Sequence, residues 1–365
     1  MMKLKENIIN QKPREKAGST SSSRFDYQKD WSLCQLLEYH NSESDYLFIF
    51  DYHEDLLILN SETNPDKISF YQIKGNKSTN WTTDRLIKSE KDKNGNPLLS
   101  ILGKLYECKN KFELETKSLN FVSNTRFNIK LNNGLTGISK NEICIIEIAD
   151  KDKKKIKDKL VNELSINNNP IFEDITFLKV TELSLDDSST HSKGKLTDFL
   201  QSLNPNGKYA IPALYQSLFD EVRRRTGYSN DIYSFDELVN KKGIGRTMLD
   251  QWLNNIVSKD FDELWKRIEN RLNVDNFAIN EIKRLHSSWT DFEIACLSHD
   301  NGIVTQIRKK VKETFINLDN KGYLNGLDVK ETLNQMYLEY TNNPVSQMVY
   351  NDSFIKAVIL NEIYE

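Results

Sequence analysis

Two stretches carry side chains able to act on a phosphodiester, FDYHEDLLIL at 50–59 and SFYQIKGN at 69–76. Asp51 closes one strand-like apolar run, and Asp55 opens the next after a short Tyr-His-Glu turn. Gln72 and Lys74 stand two residues apart on a third run, so both point to the same face as Ile68 and Phe70, with Tyr71 and Ile73 opposite. A Gln-x-Lys pair ending an apolar strand is unusual. A lysine there is costly to bury unless it meets an acid or a phosphate.

Phosphodiester hydrolysis uses such a set. Carboxylate and carbonyl oxygens hold a hard cation such as Mg²⁺ or Mn²⁺. The cation polarises the phosphate and lowers the pKa of a water. A lysine beside it orients the water or offsets developing charge. The spacing alone leaves a second reading open, in which Asp55 and Lys74 form a cross-strand ion pair and Gln72 is an edge residue.

The elements that must position these groups are legible locally. Phe25, Trp31, Leu33, Leu36 and Leu37 recur at helical spacing up to His40 and Asn41. Strand signals follow at 46–50, 56–59 and 68–74, the last two joined by the turn-rich SETNPDK. The order helix, strand, strand, strand predicts an antiparallel meander with a helix packed on it. Residues 81–118 read as helical with a break at 94–97. Strands are expected at 121–124, 143–148 and 175–180, and a lysine-rich helix at 151–164.

At 365 residues the chain has room for about two domains of ~150 residues. With 38% hydrophobic and 28% charged residues and only 14 Gly and 7 Pro, collagen-like and low-complexity classes are excluded. No apolar run reaches the ~18–20 residues that span a bilayer. The basic N-terminus lacks the apolar core of a secretion signal. The expected location is the cytoplasm. Cys34, Cys108, Cys144 and Cys296 lie far apart, as reduced thiols do. The net charge of −3 divides unevenly: residues 74–159 carry +8 and the remainder −11. Such a basic stretch suits a polyanion, or equally a solvated lysine-rich surface.

The segments RFDYQKDWSLCQLLEYH, DYLFIFDYHEDLLIL and KISFYQIKGN resemble a nuclease family. That family forms the N-terminal part of SAVED-domain effectors in cyclic-nucleotide (CBASS) antiphage systems. It is also the nuclease subunit of Lamassu, an antiphage system built around an SMC-like ATPase. It belongs to the PD-(D/E)xK superfamily, in a variant with Gln in place of the acid before x-Lys. The resemblance covers about residues 18–200. It implies an α/β restriction-endonuclease-like mixed sheet with flanking helices. It makes Asp55 the metal-binding acid, Gln72 the second ligand and Lys74 the catalytic lysine, with Gln28 facing the site from the first helix. Asp51 falls where the family carries Glu, and a shorter carboxylate there is a weaker second ligand.

The expected organisation is a flexible segment at 1–23, a nuclease domain at 24–200 and an all-helical C-terminal domain at 205–365. The polar stretches at 186–195 and 204–208 mark the boundary. The C-terminal part is too short for a full SAVED domain, which favours a helical module for partner docking or oligomerisation. FDELVNKKGIGRTMLDQWLNNI at 235–256 has the outline of a helix-turn-helix that puts Arg246 and Thr247 on DNA. Asn317, Asp319 and Asp328 imitate a calcium loop, but Lys321 places a cation where an oxygen is needed. His286 and His299 have no partners at metal-ligand spacing.

The reading that follows is a Mg²⁺-dependent (or Mn²⁺-dependent) DNA endonuclease of bacterial antiphage defence, cutting double-stranded DNA with little sequence preference. Lys77, Arg85, Lys88 and Arg246 are the candidate DNA contacts. The resemblance implies an SMC-like ATPase and an accessory subunit as partners, and self-oligomerisation on activation. The alternatives are a non-catalytic DNA-binding scaffold using the helix-turn-helix, and a CBASS-type effector nuclease.

Overall fold

A computed structural model describes residues 2–11, 13, 22–77, 79–167, 169–205, 209, 211–257, 261–297, 302–345 and 350–364. Seven strands form one mixed sheet: β1 Leu47–Phe50, β2 Leu56–Leu59, β3 Ile68–Lys74, β4 Thr116–Ser123, β5 Glu142–Cys144, β6 Thr176–Val180 and β7 Gly243–Gly245. Their spatial order is β5-β6-β4-β3-β2-β1-β7. β1, β2 and β3 make the expected antiparallel meander, with Phe50 opposite Leu56 and Leu56 opposite Tyr71. β4 and β6 then add in parallel. β1 and β2 are buried on both faces, which is why LFIF and LLIL read as unbroken apolar runs.

Helices cover the sheet on both sides. Helix Ser22–Ser42 lies on the Tyr71 face, where Trp31 and Tyr71 pack with ring centroids 5.6 Å apart. Helix Ile101–Phe112 covers the other face. The Ser100 hydroxyl caps it by accepting from Gly103 N–H, and Phe112 packs on Phe70 at 5.3 Å. Burial of Phe70, Phe112, Phe121 and Phe127 contributes about 1.5–3 kcal/mol each.

Three expectations need correction. Residues 1–23 are not merely a lead-in: Met2–Asn10 is a helix that buries Leu4 and Ile8 in the sheet's core. Residues 14–21, which include most of the serine-rich run, lie outside those described. Residues 81–118 are not mainly helical, since only Thr83–Leu86 and Ile101–Phe112 are α-helix and β4 begins at Thr116. The helix-turn-helix outline is a helix–strand–helix: Phe235–Lys242, then β7, then Arg246–Val257. Gly243 takes an extended backbone and pairs with Ile49. A Cβ there would sit 2.8 Å from the Val239 carbonyl, so glycine permits the close handover from helix to strand. Thr247 is bound to Glu62 at 2.8 Å, and Arg246 donates to the carbonyls of His40 and Glu43.

Packing divides the chain into two compact units, Met1–Leu196 with Phe219–Leu249, and Thr197–Leu218 with Asp250–Glu365. The boundary expected near 200–205 therefore does not send everything after it away from the sheet. The second unit is helical and has its own core around Trp289, Phe292 and helix Asp352–Tyr364. In it Asp328 is the N-cap of helix Val329–Asn342 within a capping box with Glu331, which accounts for the calcium-like spacing. His286 stacks on Trp265 at 4.8 Å, and His299 lies outside the described residues.

Candidate active site

The site is built at the end of the meander. Asp51, the Tyr52-His53-Glu54 turn and Asp55 link β1 to β2, and the ladder continues past the strands through Asp51 N–H donating to the Asp55 carbonyl at 3.0 Å. Asp51 and His53 both take left-handed backbone, at φ 48° and 42°. For non-glycine residues this costs about 1–2 kcal/mol each, so the turn persists only because its surroundings hold it. His53 donates from Nε2 to the Ile8 carbonyl at 3.2 Å and packs against Phe112 at 5.1 Å. On the other side Lys242 donates from Nζ to the Asp51 carbonyl at 2.9 Å.

This turn and β3 enclose a polar cleft of about 100 Å³ lined by Asp51, His53, Glu54, Asp55, Gln72 and Lys104. Three of the sequence candidates, Asp51, Asp55 and Gln72, thus meet in one place. The Ile73 N–H donates to Asp55 Oδ2 at 2.6 Å, fixing the acid against β3. Burial pushes the Asp55 pKa up to about 7; the charges of Glu54 and Asp51 push the same way, against the Ile73 hydrogen bond and the Lys74 charge. Lys74 ends β3 half-buried and close enough to act on Asp55 electrostatically. Gln28 reaches the same strand end, donating from Nε2 to the Ile73 carbonyl at 2.9 Å.

Gln72 Oε1 is buried and has no hydrogen-bond partner. A buried acceptor left unmatched costs about 1–3 kcal/mol, so an electropositive partner is wanted there. Among the described residues no three His, Cys, Asp or Glu side chains converge as a complete cation cage. A hard cation of the Mg²⁺ kind needs less, because it keeps several waters and takes one or two protein oxygens with substrate phosphate. Asp55 and Gln72, with Asp51 beside them, fit that requirement.

The candidate DNA contacts are placed elsewhere. Lys77 pairs with Asp186 at 3.5 Å, both well exposed. Arg85 turns back on the carbonyls of Thr79 and Asn80 and covers the Trp81 ring at 4.3 Å. Lys88 is exposed just beyond helix Thr83–Leu86. Much of the basic stretch is neutralised within the fold, as in Lys155–Asp84 and Lys159–Glu163.

Sequence reasoning missed Glu54, Lys104 and Lys242. Glu54 stands next to Asp55 and is buried, accepting from the Cys108 thiol at 3.7 Å. Its adjacency to Asp55 was the available signal. Lys104 and Lys242 carry no local signal, since only packing brings helix Ile101–Phe112 and helix Phe235–Lys242 to the turn.

No curated protein matches the chain. The family model described as "Cap4, dsDNA endonuclease domain" matches residues 16–226, which contain the meander, the acidic turn, Gln72 and Lys104 of the cleft, and the strands β3 to β6. That match spans more than half of the chain, which therefore belongs to the Cap4 dsDNA endonuclease domain family, a PD-(D/E)xK-type antiphage nuclease family.

Proposed function

We propose that the chain is a cation-dependent endonuclease effector of the Lamassu type, cutting double-stranded DNA with little sequence preference when partner subunits release it. The observation that carries this reading is the unmatched Gln72 Oε1 beside the Asp55 carboxylate in the family's nuclease domain. Asp55 and Gln72 hold Mg²⁺ or Mn²⁺, with Asp51 assisting. The bound cation supplies Lewis-acid polarisation of the phosphate and acidifies the attacking water. The Lys74 ammonium orients that water in line with the phosphorus and offsets charge developing on the phosphate oxygens. Gln28 holds the Ile73 carbonyl and so keeps the end of β3 in place behind Gln72 and Lys74. Lys77 and Lys88 contribute to backbone attraction from the surface.

Restraint is required, because an unspecific nuclease acting on the host chromosome is toxic. The helical unit Thr197–Leu218 with Asp250–Glu365 is the proposed docking element for an SMC-like ATPase and an accessory subunit, and self-association accompanies activation. The decisive experiment incubates purified protein with linear duplex DNA in Mg²⁺, in Mn²⁺ and in EDTA. Wild type cuts only with the cation, and Lys74→Ala binds DNA without cutting. Full cleavage by Lys74→Ala, or cleavage in EDTA, refutes the assignment. Stimulation by a cyclic oligonucleotide in the same assay would replace the Lamassu context with a CBASS one.

A further inference from the structure

We infer that Lys242 is a positioning residue that sets the Asp51–Asp55 turn for cation capture, an inference resting on the cation-dependent reading above. Lys242 is far from the turn in sequence and only 4% exposed. A buried ammonium demands acceptors for its protons. It finds the Asp51 carbonyl at 2.9 Å and the Arg225 carbonyl at 3.4 Å. It thus holds the backbone of a residue whose φ of 48° is unfavourable for any side chain but glycine. The charge of the Asp51 carboxylate also faces it.

Lys242 is itself fixed on both sides in sequence. After it, β7 pairs with β1, Gly243 opposite Ile49 and Gly245 opposite Leu47, so the antiparallel register brings Lys242 to the end of β1 where Asp51 begins. Before it, the last turn of helix Phe235–Lys242 presents the carbonyls of Val239 and Asn240 to Arg225 Nη1 at 3.0 and 3.1 Å. Arg225 is 5% exposed and paired with Glu221 at 2.7 Å. The helix end is therefore locked by one buried cation and delivers a second to the turn. The N-terminal helix clamps the same turn through Ile8 and His53, and Lys5 of that helix covers the Phe235 ring at 5.0 Å. The segment around 242 thereby joins the catalytic unit because it completes the frame of the cation ligands.

The test uses the full chain and two variants, Lys242→Met, which removes every donor, and Lys242→Gln, which keeps an amide donor on a shorter arm. Cleavage is measured against Mn²⁺ concentration, with duplex affinity and thermal melting in parallel. The Mn²⁺ needed for half-maximal rate rises at least tenfold in Lys242→Met and by an intermediate factor in Lys242→Gln. The rate at saturating Mn²⁺ stays within about threefold of wild type, and duplex affinity is unchanged. A merely structural role gives the opposite split: less active protein, lower maximal rate and an unmoved half-saturation point. That pattern in Lys242→Gln overturns the inference even if Lys242→Met fails to fold. Absence of any Mn²⁺ dependence in wild type sinks the parent reading instead, so the two failures are distinguishable.

Discussion

Replacing Asp55 by Asn is expected to stabilise the cation-free protein, by an amount that grows as pH rises from about 4 to about 7. In the fold the Asp55 pKa rises from 3.8 to about 7, because burial and the neighbouring Glu54 and Asp51 charges disfavour the carboxylate. The unfolded chain ionises freely near its ordinary value. A carboxyl group whose folded pKa is raised makes the folded state bind more protons, so stability falls as pH climbs through the window between the two values. At ~1.4 kcal/mol per tenfold change, the penalty is about 1.5 kcal/mol at pH 5 and about 4 kcal/mol at pH 8. Solvent entering the cleft makes these upper bounds. Asparagine keeps an oxygen for the Ile73 N–H and carries no charge, so Asp55→Asn escapes the penalty. Urea unfolding in EDTA across pH 5 to 8 should show the variant gaining about 1–3 kcal/mol on wild type between those limits. The same variant should not cut DNA, and Mn²⁺ should raise the melting temperature of wild type alone. A stability difference that is constant with pH, or that favours wild type at pH 8, refutes the assignment of a strained acid to this cleft.

Gln72→Ala removes the unmatched acceptor, so it should leave folding intact or slightly improved while weakening Mn²⁺ binding at least tenfold by calorimetry. Asp328→Ala breaks the capping box of helix Val329–Asn342 and should lower stability by about 1 kcal/mol without changing the intrinsic cleavage rate. Gly75→Ala brings a Cβ against the end of the half-buried Leu185 side chain, which can turn aside, so the melting temperature should stay near that of wild type, with a loss below about 1 kcal/mol. Arg246→Ala strips two carbonyls of their donor and should lower melting temperature, with duplex affinity unchanged in a filter-binding assay.

The amino-acid sequence alone determined the β1–β3 meander. β2 and β3 fall on the residues their patterns predict, and the two-residue period put Gln72 and Lys74 on one face before any contact was known. Those features are local: alternation, turn residues and strand length act over a few neighbours. The Asp55–Gln72 meeting follows from the β2–β3 register, Leu56 opposite Tyr71, because slipping two strands buried on their apolar faces would turn those faces out. Only the tertiary structure decided the rest. The parallel β4 and β6 arrive through long connections, and β7 comes from residues 243–245, whose GIG gives no strand signal by itself. Lys104 reaches the cleft, and Lys242 the Asp51 carbonyl of its turn, from helices that look like ordinary amphipathic surface elements in sequence. The raised pKa of Asp55 exists in no segment of the chain. It arises when folding removes water from one carboxylate and brings two other acids near it, more than Lys74 and the Ile73 N–H offset, and desolvation and Coulomb energy depend on distance in space.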